Sequence, residues 1–174
     1  MPQRRRARRS AQPLGLMYDS ALIRVALKTD ATMLADVRAA ADPTSVPADP
    51  DYFGNLVSQN HGLVYVAQSQ GSVIGYVVLQ RAAHAAVAAR NPIQLWQLYV
   101  APPFHGSGVA GQLMNAAFVH ARNRAHDVIW LGVAEHNERG FAFYRKQGFE
   151  AVGRHLVGSG EHAHEDVVMS RVVT

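Results

Sequence analysis

The chain has 174 residues, 48% of them hydrophobic, enough for one sizeable core and too few for two ordinary domains. It contains no cysteine, which excludes disulfides, thiolate metal sites and a cysteine nucleophile. Its net charge of +4 does not mark a nucleic-acid-binding fold, because Arg4, Arg5, Arg6, Arg8 and Arg9 carry the excess; without them 12 of the 17 basic residues remain, against 13 acids.

The tail MPQRRRARRSAQPLG, residues 1–15, has no apolar periodicity and is expected to be disordered. A polyanion-binding arm, an Arg-rich targeting segment and a true start at Met17 are the other readings of it. Residues 16–174 are expected to form a single domain. No apolar run approaches the roughly 18 residues of a membrane span, so a soluble, cytoplasmic protein is expected.

Ala21–Leu27 reads as a first strand. Asp30 is placed to cap a helix over Ala31–Ala41, with Met33, Leu34 and Val37 on its buried stripe. The Pro-rich stretch Asp42–Pro50 ends it, and Asp49 is placed to cap a second helix to about Asn60. Leu63–Gln68 and Val73–Leu79 are β-branched runs joined by Ser69–Ser72, a hairpin signal. An Ala-rich segment, Arg81–Pro92, leads into a fourth strand, Ile93–Val100. Helical spacing of Val109, Leu113, Met114, Ala117, Phe118 and Ala121 predicts a helix to about Asn123. Asp127–Val133 is the fifth strand. A short helix, Arg139–Gln147, stops at Gly148, and strands over Glu150–Val157 and Asp166–Val172 complete a mixed α/β sheet.

The stretch LYVAPPFHGSGVAGQLM spaces Gly106, Gly108 and Gly111 like a dinucleotide fingerprint. Two features argue against that fold. Five residues separate Val100 from Gly106, and only about 60 residues follow, with one short helix among them. What survives is an anion cradle: backbone N–H groups of Gly106, Ser107, Gly108, Val109, Ala110 and Gly111 at the positive end of a helix.

A second motif, Asn137-Glu-Arg-Gly140-Phe-Ala-Phe143-Tyr144-Arg-Lys-Gln-Gly148-Phe149, follows the fifth strand. With the glycine stretch it resembles the GNAT superfamily of acyl-CoA dependent N-acetyltransferases, over about residues 21–172. Within it, Trp96–Val100 and LGVAEHNERGFAFYRKQGF look most like the bacterial spermidine/spermine acetyltransferase-like branch. The resemblance implies a mostly antiparallel, seven-stranded sheet with about four helices and a splayed fourth and fifth strand.

It further implies acetyl-CoA as cosubstrate, its pantetheine bonded to backbone at Leu98, Tyr99 and Val100 and its pyrophosphate on residues 105–111. His105 stands where Arg or Gln is usual, and Gly140 where Ala is usual. The backbone N–H of Val100 becomes the oxyanion donor, Tyr144 the acid for the leaving thiolate, and Asn137 a bond to pantetheine or to its own helix. An alkylammonium of pKa about 10.4 is neutral in roughly one molecule per two thousand at pH 7, so a base is needed. The fourth strand offers only Gln94 and Gln97, leaving Glu135 and His136 first, His84 next, or a water chain.

The acceptor is expected to be a small primary amine such as a polyamine, held by residues 31–61 and Arg81–Pro92. Asp42, Asp49 and Asp51 are there to attract a cation or to cap helices. His162 and His164 are read as a polar hairpin loop, with no metal. A catalytically weak acyl-CoA sensing module and a protein N-terminal or ribosomal acetyltransferase are the alternatives, and the family also forms homodimers.

Overall fold

The computed structural model describes residues 21–43, 49–59, 63–158 and 163–174. The tail of residues 1–15 and His162 fall outside them. Seven strands form one sheet: β1 (Leu22–Val25), β2 (Val64–Ser69), β3 (Ser72–Gln80), β4 (Pro92–Val100), β5 (Val128–Ala134), β6 (Glu150–Val157) and β7 (His164–Val172). Their order is β1-β2-β3-β4-β5-β7-β6. Every neighbouring pair is antiparallel except β4 and β5.

Two helices, α1 (Ala31–Ala41) and α2 (Pro50–Gln59), cover one face; α3 (Val109–Asn123) and α4 (Glu138–Lys146) cover the other. The alternation of β3 shows why both faces need cover, since Val77 and Leu79 point to the α3 side and Tyr76 and Val78 to the α1 side, all four buried. On α3, Val109, Leu113, Met114, Ala117, Phe118 and Ala121 are all buried. That stripe docks the helix, each large side chain contributing up to about 1.5–3 kcal/mol.

Local signals set the turns. Gln70 and Gly71, at φ 48° and 83°, make the β2–β3 hairpin, and Gly148 at φ 81° ends α4. Asp49 Oδ1 accepts from the Asp51 N–H and caps α2 as expected. Asp30 does not cap α1. Its nearly buried carboxylate takes two hydrogen bonds from the Arg24 guanidinium, at 2.7 and 2.9 Å, and one from the Leu27 N–H. Charge-assisted bonds to arginine outcompete a single capping bond.

The segment between β3 and β4 crosses the α1-side face beyond β5. Ala82 O accepts from Trp130 Nε1 at 2.8 Å, and Val87 packs on Val128, Trp130 and Val168. Two helix layers are thus completed by a strap of coil over β5–β7.

Candidate functional site

β4 and β5 run side by side only from Pro92/Val128 to Gln94/Trp130. Beyond that point they part. The cause lies on the other edge of β4, where the register against β3 shifts between Val78 and Leu79, leaving Trp96 as an extra residue. Such a bulge bends the strand and reverses its alternation. Leu95 faces α3 before the bulge, and after it Leu98 and Val100 do, while Gln97 and Tyr99 face α1.

Main-chain groups follow the same logic. Ala101 N–H donates to Ile74 O, so by antiparallel alternation Tyr99 bonds to Tyr76 of β3, whereas Leu98 and Val100 turn their N–H groups toward the gap. Of the three residues expected to offer backbone there, Tyr99 is therefore committed to the sheet. Its ring contributes on the α1 face instead.

At the end of β4 a 3₁₀ turn, Pro102–Phe104, delivers the chain to the start of α3. Gly106 and Gly108 adopt φ 82° and 90°, and a Cβ placed on either, or on Gly111, would touch nothing within 4 Å. The open first turn of α3 thus presents N–H groups without intrahelical partners. Ser107, though exposed, is already engaged: its N–H and hydroxyl both donate to Phe104 O.

Both ring nitrogens of His105 are engaged within the protein. Its Nε2 donates to Val100 O at 2.7 Å and its Nδ1 accepts from the Arg139 guanidinium at 3.0 Å. Arg139, in the first turn of α4, brings a guanidinium beside position 105. Sequence reasoning passed over it because the two residues are 34 apart and nothing in either motif marks the contact.

Asn137 caps α4, its Oδ1 accepting from Gly140 N–H at 2.9 Å. A Cβ on Gly140 would come within 2.7 Å of the Asn137 amide, which explains glycine at that position. Tyr144 packs between Phe143 and Phe149, with ring centroids 5.3 and 5.8 Å away. Burial pushes its phenol well above the ordinary value of about 10, with Tyr99 adding to the rise. The group therefore stays protonated at any physiological pH.

The bases expected at the end of β5 lie at the rim. Glu135 is exposed and ion-paired with Arg154 at 2.8 Å, and the same guanidinium holds Glu165. His136 is also exposed. His84 is drawn in: its ring lies 5.1 Å from both Trp130 and His155, and its Nδ1 accepts from Ala86 N–H.

On the α1 face beside the gap, Tyr76 donates to Gln97 Oε1, whose Nε2 donates to Tyr52. Arg38 lies 5.7 Å over the Tyr99 ring. Burial raises the Tyr76 and Tyr99 phenols as well, with Asp42 adding to both. Asp42 thus sits within this polar wall, whereas Asp49 and Asp51 serve the start of α2. Among the described residues no three His, Asp or Glu side chains are grouped to hold a metal, and no helix is long and apolar enough to cross a membrane.

A strand pair that parts beside an open helix start, with a tyrosine packed on the next helix, makes a cleft with main-chain N–H groups at its edge and mouth. The profile of the Acetyltransferase (GNAT) family matches residues 31–149. An uncharacterized N-acetyltransferase of Mycobacterium tuberculosis is 30% identical over 158 residues, covering 82% of this chain and 97% of the relative. The N-alpha-acetyltransferase RimI of the same species is 26% identical over 129 residues, 72% and 76% of the two chains. Among solved structures, Ard1 from Thermoplasma volcanium superposes with a TM-score of 0.76 at 20% identity, over 90% of this chain and 99% of that one. YncA from Salmonella typhimurium, determined with acetyl-CoA, gives 0.73 at 18% identity, over 90% and 95%. The chain belongs to the GNAT acetyltransferase family. It is an acetyl-CoA dependent acetyltransferase, and acetyl-CoA is its cosubstrate.

Proposed function

We propose that the protein moves acetyl from acetyl-CoA directly to the primary amine of a small molecule, a polyamine being the type case. The observation that carries this reading is the parted β4–β5 edge, with Leu98 and Val100 N–H groups turned into it and the open start of α3 at its mouth. The cradle N–H groups of Gly106, Gly108, Val109, Ala110 and Gly111 hold the pyrophosphate, with Arg139 supplying positive charge. Pantetheine lies along β4 as an added strand.

Val100 N–H donates to the oxygen that becomes negative when the amine attacks. Tyr144 gives its proton to the departing sulfur. Burial keeps that proton in place until the thiolate leaves, and a positioned general acid is worth about 10²- to 10⁴-fold. Asn137 holds the start of α4 and so fixes Tyr144 on its far turn.

The absence of cysteine makes the test clean, because free CoA thiol is read against no protein thiols over a panel of amines. Turnover with alkylamines or polyamines supports the reading. Turnover only with peptides bearing a free α-amine would transfer it to protein N-termini, the reading that similarity to RimI favours. Acetyl-CoA binding with no turnover for any amine would make the chain a sensor.

A further inference from the structure

Gly132 lies two residues past Trp130, the last β5 residue paired with β4, and therefore beside the mouth of the gap on the face away from α3. Across the β5–β7 ladder, Ala134 is opposite Asp166, and His155 of β6 is opposite Asp166 in turn. The Asp166 carboxylate leans back over Gly132. A Cβ at position 132 would come within 2.9 Å of Asp166 Oδ2 and 3.4 Å of His155 Cε1, so glycine is what lets both side chains reach this spot.

Among the described residues, Asp166 Oδ1 and His155 Nδ1 are both buried and neither makes a hydrogen bond. Buried polar atoms are paired as a rule, so a buried imidazole nitrogen without a hydrogen bond, beside a carboxylate oxygen met only at 3.4 Å by the exposed His164 imidazole, marks a place prepared for a polar guest. Around them stand His84, with its ring 5.1 Å from His155 and from Trp130, and His164, with Nε2 3.4 Å from Asp166 Oδ1. Arg154 keeps Glu135 and Glu165 at the rim.

We infer that Asp166 and His155 form the acceptor subsite, taking an alkylammonium group on Asp166 and its proton on His155 Nδ1. The inference rests on the acetyltransferase reading above and names its missing base. The His84 ring, set between Trp130 and His155, gives this spot an aromatic wall that suits a cation with an apolar stem. Once His155 has taken one proton, the nitrogen lone pair attacks the thioester carbon, the C–N bond forms and the C–S bond breaks. The second ammonium proton, lost as the adduct collapses, balances the one Tyr144 delivers to sulfur, and the proton on His155 returns to water. No oxidant or further reactant is needed.

The test compares wild type with Asp166→Asn, His155→Gln and Gly132→Ala. Asp166→Asn and His155→Gln are expected to lower kcat/KM for an alkylamine about 100-fold, and Gly132→Ala about tenfold by displacing the carboxylate, with CoA affinity held within about twofold. Independently of turnover, adding butylammonium to the CoA-saturated wild-type protein should shift the His155 imidazole nitrogen resonances. Full activity of Asp166→Asn, or silence of His155 toward millimolar butylammonium, overturns the inference. A wild-type protein inert toward every amine yet showing that shift overturns the catalytic reading and leaves the subsite standing.

Discussion

Replacing Arg139 by Ala should weaken CoA binding by about 5- to 30-fold without unfolding the protein. The magnitude follows from what the guanidinium touches. One of its nitrogens donates to His105 Nδ1 at 3.0 Å from an exposed position, and the rest of the fork is left for phosphate oxygens. A charge-assisted bond is worth about 1.5–3 kcal/mol, and solvent screening at this surface reduces that to about 1–2 kcal/mol. His105→Ala should cost less, about three- to tenfold, because it frees Arg139 and leaves Val100 O without its 2.7 Å donor. In the double variant the two losses should fail to add by about 1 kcal/mol, since each residue acts partly through the other. Isothermal titration with CoA at low and high salt measures all four proteins. The Arg139→Ala penalty should shrink as salt rises. A dissociation constant within twofold of wild type, with unchanged salt dependence, refutes the assignment.

Gly108→Val forces a branched side chain to φ 90° and sets it over the open N–H groups, so CoA binding should fall beyond detection while the melting temperature drops by only a few degrees. Tyr144→Phe should lower kcat at least about tenfold with CoA affinity nearly unchanged. Because burial raises the Tyr144 phenol above its usual value, wild-type kcat should show no loss on the alkaline side up to about pH 10 that disappears in Tyr144→Phe. Asp30→Asn should destabilise the fold by about 2–3 kcal/mol at pH 7 in urea titrations, since it breaks the nearly buried pair with Arg24. The Arg24 bonds hold the Asp30 carboxyl below its unfolded value of about 3.9, so its contribution is complete above that pH and is lost as pH falls through the lower folded value. The difference between the two proteins should therefore close below about pH 4.

Much of the fold was legible because its signals are local. The periodic stripe of α3 and the Pro and Gly residues around α1, α4 and β6 placed those elements at or within a residue or two of their observed ends. The turn at the start of α3 was legible for the same reason, three glycines at fixed spacing before an apolar helix. Asp30 misled because a partner six residues upstream, not the helix behind it, claims its carboxylate. The ion pair of Glu135 was not legible because Arg154 comes from a strand that the local pattern does not place beside it. The meeting of Gly132, His155 and Asp166 depends on the registers of β5, β6 and β7, a long-range quantity that no window of residues contains.

The extra residue at Trp96 fixes more than the curvature of β4. Excising that single position would restore uninterrupted pleating from Pro92 onward, letting the two parallel strands zip past Gln94 and close the cleft. The same deletion would leave Gln97 and Tyr99 under α1 and Leu98 and Val100 under α3, so both linings would persist around a cleft that no longer opens. One inserted amino acid is thus what separates an enzyme from a sealed sheet.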